Sequence, residues 1–70
     1  MQVIQLAKML GVSPDTVRYY TRIGLLVPKK SIENGYKFYS SNEQNRLRFI
    51  LSARDLGFSV DDIKQIFHKA

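Results

Sequence analysis

Seventy residues, 44% of them hydrophobic and including four Tyr and four Phe, carry enough apolar material for one small core and exclude wholesale disorder. A chain this short buries only about 60% of its unfolded surface, so it folds with little stability to spare. The absence of cysteine excludes disulfides, thiolate metal sites and a cysteine nucleophile, while eleven Lys and Arg against six Asp and Glu (net charge +5) point to a polyanionic partner or to a plain solvated basic surface.

The opening Met1-Gln2-Val3-Ile4-Gln5 lacks the charged and apolar blocks of a signal peptide, and no apolar run is long enough to span a bilayer. Val3, Leu6, Ala7 and Leu10 follow the i, i+3, i+4, i+7 rule and predict a short amphipathic first helix ended by Gly11. Ser13 then reads as an N-cap and Pro14 as the first residue of a second helix that runs to about Ile23 and stops at Gly24. Two short helices across a Gly-containing turn form a helix-turn-helix, placed at about residues 3–24.

At 100° per residue, Val17, Tyr20 and Thr21 share one side of the second helix, and Asp15, Arg18, Tyr19 and Arg22 share the other. Tyr20 packs inward through its ring, with its hydroxyl near enough to the surface to reach a phosphate. Asp15 either pairs with Arg18 or simply favours the positive helix N-terminus. Arg22 either extends the cationic face or stands solvated near the helix end.

Leu25, Leu26 and Val27 make an apolar patch that ends at Pro28, and the wing is expected over about 28–39. Asn34-Gly35 is a strong hairpin signal because both residues tolerate positive φ, and Tyr36-Lys37-Phe38-Tyr39 has the aromatic content and alternation of a strand. That alternation puts Tyr36 and Phe38 on one face and Lys37 and Tyr39 on the other. Lys29 and Lys30 are either solvated charge at the wing's root or drawn to nearby phosphates.

Ser40-Ser41-Asn42-Glu43 is a capping box that opens a third helix over about 41–56, with Leu47, Ile50 and Leu51 as its core face and Phe49 and Ala53 on a different side. Ser59-Val60-Asp61-Asp62 repeats the cap logic, and Val60, Ile63, Ile66 and Phe67 mark the buried stripe of a fourth helix over about 60–68. The fold expected is a single domain over 1–70, mainly α with a small β-hairpin, in the order helix, helix, wing, helix, helix: a winged helix-turn-helix.

Chemistry of other kinds finds little support. His68 is the sole histidine, Asp61 and Asp62 are explained by their place in a first helical turn, and no nucleophile–base pair, phosphate-binding glycine loop or metal-ligand cluster is present, so neither an enzyme nor a metal or cofactor site is expected.

The stretches "TVRYYTRIGLL", "ENGYKFYS" and "RLRFILSARDLGFSVDDIKQI" together resemble the DNA-binding domain of the MerR (mercury-resistance) type of bacterial transcription regulators, from Val3 to Phe67. The resemblance implies that the second helix enters the major groove while the wing and later helices grip the backbone. Arg18 and Tyr19 then match the arginine and aromatic that face DNA, Tyr36 and Lys37 the wing tyrosine and the basic residue after it, and Arg54 a phosphate contact. With Tyr20, Arg22, Lys30 and Tyr39 added from the residue pattern, these form the candidate DNA-binding set.

It further implies a cytoplasmic, nucleoid-associated protein whose full-length form is a homodimer on double-stranded promoter DNA, where it acts with RNA polymerase by distorting an over-long spacer. Departures are Lys37 where arginine is common, Val27 where a second proline often stands, and a length that omits the long dimerising helix and effector domain. The rival readings are a phage- or plasmid-type excision factor, a protein-interaction module using Phe49, Phe58 and Phe67, and a single-strand RNA binder stacking bases on the wing tyrosines.

Overall fold

A computed structural model describes residues 1–69, with side chains through His68. In chain order it contains α1 (Val3–Leu10), α2 (Pro14–Arg22), β1 (Lys29–Lys30), β2 (Lys37–Phe38), α3 (Ser41–Asp55) and α4 (Val60–Lys69). The order matches the expected winged helix-turn-helix.

Helix boundaries sit where local chemistry puts them. Gly11 ends α1 in the left-handed region at φ 72°, where its N–H reaches the Lys8 carbonyl and the Val12 N–H reaches that of Ala7. Two residues later the Ser13 hydroxyl accepts the Thr16 N–H at 3.2 Å, and Pro14 occupies the first helical position. The connection is therefore only three residues long, and α1 packs directly on α2. At α4 the box closes in both directions: Ser59 N–H donates to Asp62 Oδ2, and Asp62 N–H donates to Ser59 Oγ, each at 3.1 Å.

The core is built from Leu6 and Ala7 of α1, Val17 and Tyr20 of α2, Leu25 and Leu26 after it, Tyr39, then Leu47, Ile50 and Ala53 of α3 and Ile63 of α4. Leu6, Val17, Leu26, Leu47, Ile50 and Ile63 are sealed completely, each stabilising by roughly 1.5–3 kcal/mol. Every major element except β1 and β2 contributes to this one cluster.

Four local expectations are corrected. Asn34 does not adopt a positive φ, and the turn is not a two-residue Asn-Gly link. The strands pair Lys29 with Phe38 and Lys30 with Lys37, leaving residues 31–36 as a six-residue loop. In it the Asn34 side chain accepts the Tyr36 N–H at 3.0 Å, the Gly35 N–H reaches the Ser31 carbonyl, and Gly35 alone takes the left-handed conformation. Because only Lys37 and Phe38 are regular strand, strict alternation fails: Tyr36 is exposed, Tyr39 is buried and Phe38 is half-buried.

The second correction is at α3, whose Ser40 hydroxyl donates to Glu43 Oε1 instead of capping the backbone, so the partly buried carboxylate and hydroxyl satisfy each other. The third is Ala53, which lies in one buried stripe with Glu43, Leu47 and Ile50, since 47, 50 and 53 advance by single turns; Phe49 alone faces elsewhere. Lastly, Ile66 is 41% exposed, because α4 packs on α3 through Ile63 and Phe67 and leaves its next position at the rim.

Candidate nucleic-acid interface

The first element of the site is the outer side of α2. Val17 and Tyr20 face the core, while Asp15, Arg18, Tyr19 and Arg22 stand exposed. The Arg22 guanidinium lies 5.6 Å from the centre of the Tyr19 ring, and that ring lies 5.4 Å from Tyr20's at a 58° tilt. A cation, an exposed aromatic and a buried aromatic thus form a stack anchored in the core, which limits how far Tyr19 can swing. One turn earlier, Arg18 Nη1 donates to Asp15 Oδ1 at 3.0 Å. Among the described residues this is the one ion pair, so Arg22, Lys30 and Lys37 carry charge that no carboxylate neutralises.

The second element is the wing. Its two-pair ribbon sets Lys30 directly opposite Lys37. Like charges facing each other across strands destabilise a ribbon, and an anion laid against them relieves that cost. Sequence alternation alone gave no hint of the pairing, because the register depends on the length of the loop.

A concave cleft of about 750 Å³ joins these two elements. Arg18, Thr21 and Arg22 line it from α2, and Tyr36, Lys37 and Tyr39 line it from the wing. Gln2 and Val3, at the start of α1, complete the wall. These last two and Thr21 were not among the expected site residues, since nothing in their local sequence marks them; Tyr39 brings them here, its N–H donating to the Met1 carbonyl and its hydroxyl meeting Thr21 Oγ1.

The nine expected residues therefore divide. Arg18, Arg22, Tyr36 and Lys37 converge on the cleft with exposed side chains. Tyr19 stands beside it on the same helix, and Lys30 lies across the ribbon from Lys37. Tyr20 and Tyr39 are core residues at 7% and 5% exposure. The Tyr39 hydroxyl is spent on Thr21 Oγ1 at 2.8 Å, which fastens the wing to α2. Arg54, at the end of α3, does not line the cleft and donates to the Phe58 carbonyl at 3.1 Å.

Of the aromatics in the rival protein-interaction reading, Phe67 is half-buried, packs on Phe49 with ring centres 5.5 Å apart, and lies 4.6 Å beneath the Arg46 guanidinium. Two of the three are thus engaged within the fold. Among the described residues no three His, Cys, Asp or Glu side chains are grouped to hold a metal ion, and no helix is long and apolar enough to cross a membrane.

A family profile described as "MerR HTH family regulatory protein" matches residues 1–70. The chain belongs to the MerR family. It is 44% identical over 66 residues to Heavy metal-dependent transcription regulator 2 of Rhizobium meliloti strain 1021, a match covering 94% of this chain and 45% of that protein. Over 62 residues it is 40% identical to the HTH-type transcriptional regulator ZntR of Escherichia coli K12, covering 89% of this chain and 44% of ZntR. The chain thus spans a little under half the length of these relatives.

Among solved structures it superposes with a TM-score of 0.86 on the transcription regulator PbrR691 from Ralstonia metallidurans CH34 in complex with lead(II). The two are 29% identical, and the match covers 97% of this chain and 53% of PbrR691. With EcmrR, seen by cryo-EM as an EcmrR–DNA complex, the TM-score is 0.83 at 36% identity, covering 99% of this chain and 26% of EcmrR. These MerR-family neighbours share the winged helix-turn-helix, so the expected fold and family both stand.

Proposed function

We propose that this chain is the part of a MerR-type transcription regulator that binds double-stranded DNA, with α2 in the major groove and the wing on the adjacent backbone. The observation that carries this reading is the cleft in which cations of α2 and of the wing, the Asp15-paired Arg18 with the unpaired Arg22 and Lys37, face one space together with Tyr36. A helix fits the major groove and a basic ribbon beside it meets phosphate, so the two shapes suit one duplex. EcmrR, which shares the fold, is seen in a complex with DNA, and that supports DNA binding by a domain of this shape.

In this reading Arg22, Lys30, Lys37 and Arg54 hold phosphates, Arg18 and Tyr19 approach the bases, and Tyr36 packs on the sugar-phosphate backbone. Arg54 must exchange its bond to the Phe58 carbonyl for a phosphate oxygen or share its remaining N–H groups. Lys37 grips as a point charge without an arginine's two-pronged geometry. Tyr20 and Tyr39 act as scaffold beneath the contact surface. The whole protein is a cytoplasmic homodimer on a pseudo-palindromic promoter, acting with RNA polymerase by deforming the DNA between promoter elements. It carries no enzymatic activity.

Four phosphate contacts predict that log affinity falls with log salt at a slope of about −3.6, or about 150-fold between 50 and 200 mM KCl. A mobility-shift titration of the 70-residue protein on a mixed-sequence 20-base-pair duplex measures this. Binding indifferent to salt would favour an apolar protein-interaction surface, and preference for the single strand would favour stacking on exposed tyrosines. Either result overturns the proposal.

A further inference from the structure

We propose that Asp15 is a specificity-determining residue of this interface: its carboxylate aims Arg18 and refuses phosphate, so that α2 seats fully only where the base directly opposite that carboxylate presents an amine. The inference rests on the DNA-binding reading above.

Asp15 lies in the first turn of α2, with its side chain 93% exposed, on the face that carries Arg18 and Arg22. A structural reason for an acid there exists in the helix dipole, but the cap is already made: the Thr16 N–H goes to Ser13 Oγ, and the Asp15 carboxylate is bonded to Arg18 instead of to a backbone N–H. Arg18 is itself 56% exposed, and an ion pair between two solvated side chains adds little to fold stability. What the pair does supply is direction. A guanidinium has five N–H donors in a rigid fork, and holding one nitrogen at 3.0 Å from Asp15 leaves others aimed outward from the helix.

An acceptor-only group on a DNA-binding face is costly beside phosphates and useful beside bases. The amines that the major groove presents are N4 of cytosine and N6 of adenine, whereas guanine presents the O6 and N7 acceptors that suit arginine. The N-terminal residues of a recognition helix are the ones that come nearest the base edges. Asp15 and Arg18, one turn apart and already bonded, therefore read as a unit a guanine with an amine-bearing base alongside. Poorly matched sequences set a phosphate or a base acceptor against the lone pairs that Arg18 leaves open on the carboxylate and are rejected, which is specificity by repulsion as well as by attraction.

The test selects the best duplex for the wild-type protein from a randomised pool. It then titrates wild type, Asp15→Asn and Asp15→Glu on that duplex and on a scrambled one of equal composition, with thermal melting of each protein alongside. Asp15→Asn is expected to bind the scrambled duplex about threefold to tenfold more tightly and to lose about tenfold in preference for the selected one, within the range of one good base contact. Asp15→Glu restores the rejection of the scrambled duplex because the charge returns, but not the full preference, because the carboxylate is displaced. Should Asp15→Asn melt below the assay temperature, Asp15→Ser replaces it.

A wild-type preference ratio in the Asn variant overturns the inference and leaves DNA binding intact. So does an equal loss on both duplexes with a lowered melting temperature, which is the mark of a purely helix-stabilising acid. A wild-type protein that ignores duplex DNA at low salt instead defeats the underlying reading.

Discussion

The contact between Tyr39 and Thr21 can be dissected one hydroxyl at a time. Thr21 donates its single hydroxyl hydrogen to the Val17 carbonyl at 2.9 Å, so the 2.8 Å contact with Tyr39 must be donated by the tyrosine. Tyr39→Phe removes that donor while Thr21 keeps its bond to Val17, a loss of about 1 kcal/mol. Thr21→Val is worse, because it strips the acceptor from a hydroxyl on a residue only 5% exposed, and a stranded buried donor costs about 1–3 kcal/mol.

In a domain of this size each 1 kcal/mol moves the melting temperature by about 4–8 °C, so the valine variant should melt below the phenylalanine variant. The double variant replaces both polar groups and strands neither, so its loss should fall short of the sum by at least about 0.5 kcal/mol. Thermal and urea unfolding of the four proteins measure the cycle. Equal and additive losses would refute both the donor assignment and the claim that the wing is fastened to α2 through this pair.

Two further outcomes follow from the same geometry. Arg18→Ala should weaken binding to a selected duplex at least tenfold while leaving the melting temperature within about 2 °C of wild type, because its only partner is a solvated carboxylate; wild-type affinity in the folded variant would remove Arg18 from the interface. Ser13→Ala deletes the α2 cap and should cost about 1 kcal/mol, with a parallel loss of DNA affinity as the helix start frays; far-ultraviolet circular dichroism and melting decide whether the cap matters that much.

What the sequence made legible was whatever neighbouring residues settle among themselves. Gly11, Ser13-Pro14 and Ser59/Asp62 act within three or four positions, and each stands where expected. The inward turn of Val17 and Tyr20 and the outward turn of Arg18, Tyr19 and Arg22 follow from helical period alone. Readings that needed a partner from elsewhere fared worse. Asn34-Gly35 promised a tight hairpin, but the short strand pairing and the Ser31 bonds set a wider loop. Ser40 and Glu43 had the letters of a capping box, yet partial burial turned the two side chains on each other. The inward turn of Tyr39, whose hydroxyl meets Thr21 eighteen positions away, had no local signal. The part of Gln2 and Val3 in the cleft depends on the bond from the Tyr39 N–H to the Met1 carbonyl.

Tyr39 is tied at both ends, its main-chain N–H donating to the Met1 carbonyl at 2.6 Å and its phenol to Thr21. A span locked between two jaws behaves as a caliper: the gap between the α2 ridge and the ribbon is set before any duplex arrives. On the DNA-binding reading proposed above, sequences whose grooves already have the matching width would be gripped without bending, and others would be deformed at their own elastic expense. If the chain binds duplex DNA as proposed above, part of its choice of site is written in base steps that none of its side chains touch.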